Sequence, residues 1–432
     1  MQRNRFLGDI LSTLFDRSET IPRTDDTRDI FDLCRALLSN EGNVSGLSLA
    51  ETALKRYRTL SDDDKVAFFL FLNDELDIDA PALSVLAAAY AEDPSPVAFE
   101  ALSATAEPKR QELLRRLNQP LGATADLVAM RVDLLRILKE HPELARTNHD
   151  FTHLLRSWFN RGFLVLKAIN WDTPARILDK IVAYEAVHQI NDLDDLRRRL
   201  YPPDRRCFAF FHPAMPDEPL IFVEVALTKA VPGSVTKLLS EGRTPLEAED
   251  AKTAVFYSIS NCQKGLTGIS FGNLLIKQVV AELSMSFPQL ERFVTLSPIP
   301  GLNRWLATQT EDQEYGHIAS AILEHSADPQ DLRIMAARYL LAAKRGDGMP
   351  LDPVARFHLN NGAEVYDIHA DADLSVNGRT QSSGAMVNYM YDLSRTQAHH
   401  EDFALRSIVA ATKPTHTLST TALPNKPKEP TP

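Results

Sequence analysis

The segment from Ala254 to Ile299 constrains this chain most. An apolar run, Ala254 to Ser260, enters the glycine-bearing stretch Asn261-Cys262-Gln263-Lys264-Gly265-Leu266-Thr267-Gly268-Ile269-Ser270-Phe271-Gly272. Ile276, Val279, Val280 and Leu283 then recur at helical spacing, and Arg292 to Ile299 returns to a strand-like pattern. The unit reads as strand, glycine loop, helix, strand. Three glycines in one loop stand out because the chain holds only 17 in 432 residues. Two readings of the loop are open. Its amides and the helix dipole could cradle a phosphate, with Lys264 adding a cation, or its glycines could simply permit a tight turn and close packing. Neither G-x-G-x-x-G nor G-x-x-x-x-G-K-S/T is present, so the common dinucleotide and nucleoside-triphosphate fingerprints do not apply.

Upstream, the pattern is helical. Ser48 with Glu51, and Ser61 with Asp64, read as helix starts. Leu127, Met130, Leu134, Leu135 and Leu138 form one apolar face, and Phe151 to Trp171 carries a wider one. Residues 1 to 170 are therefore expected to form a helical support or oligomerisation domain. Arg3, Arg5 and Arg17 with Phe6, Leu7, Ile10 and Leu11 read as a first helix rather than a transit segment, because Asp9, Asp16 and Glu19 intervene. From Arg206 the pattern changes to strands, Cys207 to His212 and Leu220 to Thr228, joined by a proline-rich turn. Residues 171 to 412 are expected to form an α+β domain, and 413 to 432, with five prolines, a disordered tail.

Composition bounds the function. Forty-seven basic against 58 acidic residues give a net charge of −11, which disfavours nucleic acid as a partner. Cys34, Cys207 and Cys262 are widely separated and lack metal-ligand spacing, so neither a disulfide framework nor a metal site is expected, and a reducing compartment is. No apolar stretch reaches the ~18 residues of a membrane span. No membrane partner is expected.

Five separated segments then carry a resemblance: HPAMPDEPLIFVEVALT from His212, AVFYSISNCQKGLTGISFGNLLIKQVV from Ala254, TLSPIPG from Thr295, DPVARFHLNNGA from Asp352 and GAMVNYMYDL from Gly384. Together they resemble the malonyl-CoA decarboxylase family over about residues 173 to 395. The resemblance implies a multidomain α and α+β protein: an N-terminal helical bundle followed by a catalytic domain similar to the N-acetyltransferase superfamily (GNAT) fold. It implies a carboxy-lyase that converts malonyl-CoA to acetyl-CoA and carbon dioxide, in which coenzyme A belongs to substrate and product and no further cofactor is required. It places the family's catalytic serine, histidine and tyrosine on Ser297, His358 and Tyr391. The coenzyme A pyrophosphate would lie on the backbone of Gln263, Lys264, Gly265, Leu266, Thr267 and Gly268, although this loop has Gly-x-x-Gly where the superfamily commonly has Gly-x-Gly. A homodimer or homotetramer is implied, and the ending Lys428 to Pro432, which is not the S-K-L peroxisomal address, points to the cytoplasm.

The chemistry gives these residues work. Loss of carbon dioxide from a malonyl thioester leaves an enolate, so a site must orient the carboxylate, stabilise the thioester oxygen and protonate carbon. Ser297 is expected to align the carboxylate and His358 to donate the proton, with amides near Ser258 to Ser260 or the glycine loop serving the oxygen. Leu296-Ser297-Pro298 lacks the G-x-S-x-G elbow of a covalent hydrolase. Two other readings stay open: an acyltransferase using the same kind of coenzyme A cleft, and a noncatalytic acyl-CoA sensor.

Overall fold

The computed structural model describes residues 26–269 and 274–423, which divide into two compact units. The proposed first helix around Phe6 to Leu11 lies outside the described residues. Among the described residues, the helical unit comprises those up to Leu164 together with His212–Pro216 and the stretch from Gln263 to Ile269. Its helices follow the sequence pattern in detail at some points. Ser61 caps the Asp62–Asp74 helix, its Oγ accepting the Asp64 N–H at 3.2 Å. Ser48, by contrast, lies inside the Asn40–Arg58 helix, where its carbonyl accepts from Thr52 Oγ1 at 2.8 Å. The core is aromatic: Tyr57, Phe68, Phe69 and Phe151 meet edge to face. A buried ion pair joins Arg110 to Asp150, and Arg110 also reaches Asp77 at 2.8 Å.

The helical domain ends earlier than expected. Its last helix stops at Trp158, and Val165–Ile169 is already the first strand, β1, of the second unit. Asn160 and Gly162 cause the break: Asn160 Oδ1 accepts the Gly162 N–H at 3.0 Å and starts a single 3-10 turn. The wide apolar face read across Phe151 to Trp171 thus belongs to a helix and a strand, not one helix.

The second unit is an eight-stranded mixed sheet in the order β1-β2-β3-β4-β5-β8-β6, with β7 also on β8. The strands are β2 Arg205–Phe211, β3 Ile221–Thr228, β4 Thr253–Asn261, β5 Arg292–Thr295, β6 Ser297–Pro298, β7 Glu364–His369 and β8 Met386–Met390. All pairs are antiparallel except β4 with β5, which run parallel and are connected through the Leu274–Ser286 helix. This mixed sheet with its flanking helices and one parallel junction is an α+β arrangement, as expected. The parallel register ends at Phe256 opposite Thr295, and β4 carries an irregularity opposite Glu224 and Val225. The run expected as one strand, Arg292 to Ile299, is broken at Leu296, whose N–H donates to the Phe256 carbonyl at 2.9 Å. That break starts β6 at Ser297.

The tail also differs from expectation. Lys413–Thr420 is a helix with Thr415 and Leu418 buried, and Thr412 and Thr415 both donate through Oγ1 to the Tyr366 carbonyl, at 2.8 and 2.9 Å. Pro414 sits in the first turn of this helix, where its fixed φ and missing N–H cost nothing. Expected to be part of a disordered tail, it stands here at a helix start. The remaining tail prolines lie beyond the described residues.

Candidate active site

Ser297, His358 and Tyr391 come together in the sheet unit as one hydrogen-bonded chain. Ser297 Oγ lies 3.1 Å from His358 Nε2, and His358 Nδ1 lies 2.8 Å from the Tyr391 hydroxyl. All three residues are buried, at 6%, 2% and 3% exposure. Local sequence explains each placement. Ser297 opens β6 opposite Val387 of β8. Tyr391 follows β8, and its N–H donates to the Phe293 carbonyl of β5 at 2.8 Å. His358 rides on the Pro353–Asn360 helix, whose buried residues Ala355, His358 and Leu359 share one face. Asp352 fixes the start of that helix, accepting the N–H groups of Val354 and Ala355 at 2.9 Å each.

No charged group enters this chain among the described contacts. Burial alone pushes His358 down to about 3 and raises the Tyr391 hydroxyl well above its ordinary range. His358 is therefore a neutral ring at physiological pH. Tyr389 stacks on the imidazole, with centroids 4.5 Å apart.

Sequence reading missed three supports of the site. Thr295 Oγ1 accepts a hydrogen bond from Ser297 Oγ at 2.8 Å, Tyr389 braces the ring, and Asn388 Nδ2 donates to the Thr295 carbonyl at 2.7 Å. The signal for Thr295 was available: it stands two residues before Ser297, the spacing that puts side chains on one side of an extended chain. Glu185 was also missed. Its carboxylate accepts from Ser258 Oγ at 2.8 and 2.9 Å and from the N–H groups of Val187 and His188 at 2.8 Å each, tying that segment to β4.

Gln263 to Gly268 belongs to the helical unit. Lys264–Leu266 forms one 3-10 turn, and the Leu266 and Thr267 N–H groups donate to Gln263 and Lys264 carbonyls at 3.0 and 3.1 Å. Gly265 has a packing reason: a Cβ there would lie 2.0 Å from the Val128 carbonyl oxygen. Arg131 Nη1 donates to the Gly265 carbonyl at 2.6 Å. Gly268 has φ +78°, the left-handed region that glycine enters freely. The helix following this loop is described from Leu274 onward.

Fold and site define a helical and α+β protein with a buried, uncharged serine–histidine–tyrosine chain. Residues 77–159 match the malonyl-CoA decarboxylase N-terminal domain and residues 162–429 the malonyl-CoA decarboxylase C-terminal domain. The chain belongs to the malonyl-CoA decarboxylase family, whose members are carboxy-lyases. The malonyl-CoA decarboxylase structure from Rhodopseudomonas palustris is 46% identical with a TM-score of 0.84, covering 92% of this chain and 100% of that one. The one from Agrobacterium vitis is 45% identical with a TM-score of 0.86, covering 91% and 100%. Mitochondrial malonyl-CoA decarboxylase of Anser anser anser is 36% identical over 332 residues, which is 68% of this chain and 66% of that relative's length.

Proposed function

We propose that this chain converts malonyl-CoA to acetyl-CoA and carbon dioxide. The observation that carries the reading is the continuous Ser297–His358–Tyr391 chain, buried and free of any carboxylate partner among the described contacts. A malonyl carboxylate beside neutral donors in a dry site is not held by a full counter-charge. Spreading its charge onto a thioester oxygen as carbon dioxide leaves is then less opposed. Ser297 aligns the carboxylate. The bond between C2 and the carboxylate carbon breaks, its electron pair moves into the enolate, and C2 then takes a proton from the His358 side. Tyr391, at Nδ1, faces the nitrogen through which the ring is replenished, and solvent supplies the one proton consumed overall. The incoming negative carboxylate raises the proton affinity of His358 from its resting value. The coenzyme A moiety is assigned to the Gln263–Gly268 loop by family resemblance, with Lys264 an exposed cation within it.

Incubation of the purified chain with malonyl-CoA alone tests this. Acetyl-CoA and carbon dioxide in equal amounts are expected. Acyl transfer to an added amine without carbon dioxide would make it an acyltransferase, and binding without turnover a sensor.

The protein is further proposed to be a homodimer or homotetramer. The helices Ala80–Glu92 and Pro96–Ala106 contain no buried residue, and Val85, Val97 and Phe99 are 69%, 77% and 57% exposed. Light scattering across a dilution series tests it. A cytoplasmic location fits three buried free thiols and the absence, among the described residues, of any helix long and apolar enough to cross a membrane. Localisation of a tagged chain checks it.

A further inference from the structure

Thr295 ends β5, fully buried, and its Oγ1 receives two hydrogen bonds: the Ser297 hydroxyl at 2.8 Å and the Tyr389 N–H at 3.1 Å. A serine hydroxyl has a single proton to give. With that proton directed to Thr295, the 3.1 Å contact between Ser297 Oγ and His358 Nε2 must be filled by a proton on the ring. A neutral imidazole carries only one N–H. Nδ1 is then bare, and the 2.8 Å contact there is filled by the Tyr391 hydroxyl proton.

We propose that Thr295 is a positioning residue that sets the direction of this chain. By accepting the Ser297 proton it holds His358 as the Nε2–H tautomer, so that donation runs from Tyr391 to His358 to Ser297 to Thr295. This direction is opposite to that of a nucleophile-activating pair, in which serine donates to imidazole. It leaves Ser297 Oγ receiving a proton rather than losing one. It also aims the histidine N–H toward the side on which Ser297 would meet a carboxylate. The Thr295 carbonyl accepts from Asn388 Nδ2 at 2.7 Å, and Asn388 is itself fixed by the contact of its Oδ1 with His369 Nε2 at 2.5 Å. Its consequence for turnover rests on the decarboxylase reading; the tautomer does not.

Nitrogen NMR of the full chain with 15N-labelled histidine, without substrate and near neutral pH, tests the proposal, the His358 signals being assigned as those lost in His358→Asn. The wild-type spectrum should show a protonated Nε2 and a bare Nδ1. Thr295→Val keeps the β-branched shape but removes the acceptor, so the serine proton turns to Nε2 and His358 shifts toward the Nδ1–H tautomer. Thr295→Ser should restore the wild-type pattern. With malonyl-CoA, Thr295→Val should lower kcat roughly 10- to 100-fold while KM stays within about twofold, and Thr295→Ser should recover it. A wild-type ring protonated at Nδ1, or a folded Thr295→Val with an unchanged tautomer, would overturn the proposal. If Thr295→Val does not fold, the wild-type tautomer decides the direction alone. Because that readout needs no substrate, failure of the decarboxylase reading is seen separately, as absent turnover with an Nε2–H ring.

Discussion

Tyr389 lies almost flat on His358, with 25° between the ring planes and 4.5 Å between centroids. The stack blocks one face of the imidazole, while Phe357 meets it edge-on at 5.0 Å. Two hydrogen bonds fix the ring's in-plane rotation and the stack fixes its tilt.

The Tyr389 hydroxyl is buried and makes no hydrogen bond among the described residues. Its work is therefore the ring's. Tyr389→Phe should leave turnover near wild type and hold or raise the melting temperature, since it removes an unsatisfied polar group. Tyr389→Leu should lose the stacking contribution, about 0.5–1.5 kcal/mol, and lower kcat with it. Thermal unfolding and steady-state kinetics on both variants check this; a strong loss in Tyr389→Phe would assign the hydroxyl a role in turnover.

His358 gives the protein a defined acid sensitivity. The unfolded chain takes up a proton at this histidine near pH 6.5, whereas the folded chain resists protonation down to about pH 3 because the ring is buried. Its contribution is full above pH 6.5 and is lost as the pH falls through that window, at up to about 1.4 kcal/mol per pH unit. His188, buried and pushed down to about 4, acts with the same sign. Denaturant unfolding at pH 7 and pH 5 should show a smaller acid loss in His358→Asn than in wild type. Parallel losses in the two proteins would contradict the buried neutral ring.

The glycine loop tests packing against ligand binding. Gly265→Ala places a methyl 2.0 Å from the Val128 carbonyl, a backbone atom that cannot rotate away. Overpacking of this kind costs about 1–3 kcal/mol. The variant should melt lower even without coenzyme A. Gly268, with open space around its Cβ position, should be strained by substitution only through its positive φ. Melting curves without ligand separate the two, and an unaffected Gly265→Ala would remove the packing account.

What could be read in the sequence followed periodicity and local chemistry. The apolar runs around Cys207, Leu220 and Ala254 gave β2, β3 and β4 to within a few residues because buried central strands are nearly continuous apolar stretches. Val165–Ile169 was not legible in the same way: five residues of edge strand carry too little pattern to stand apart from the preceding helix, and only Asn160 and Gly162 mark the change. In the site, Ala355, His358 and Leu359 share the buried face of one helix, a placement the sequence expectations did not include. Nothing local tells Ser297 that its partner is His358, since 61 residues separate them and the pairing depends on β6, β8 and a helix meeting in space. Resemblance supplied that link. Thr295 shows the complementary case, a short-range partner visible at a spacing of two but chemically unremarked until its hydroxyl was seen against Ser297.

Ser297 and His358 should fail together. If the malonyl carboxylate takes over from Thr295 as the acceptor of the Ser297 proton, Ser297 holds it through one hydrogen bond to a charged group, and removing Ser297 costs about 1.5–3 kcal/mol. At 1.36 kcal/mol per decade, that is roughly a 10- to 100-fold lower kcat for Ser297→Ala. His358→Asn removes the proposed proton donor and should cost more, about 10²- to 10⁴-fold. Because the two groups are neighbours in one chain at 3.1 Å, the effects should not multiply. The double variant should be close to His358→Asn alone. No covalent intermediate is expected, so intact mass spectrometry of wild type quenched during turnover should show the unmodified chain. An acyl adduct on Ser297 would replace the noncovalent alignment with nucleophilic catalysis, and fully multiplicative losses would mean that the two residues act in separate steps.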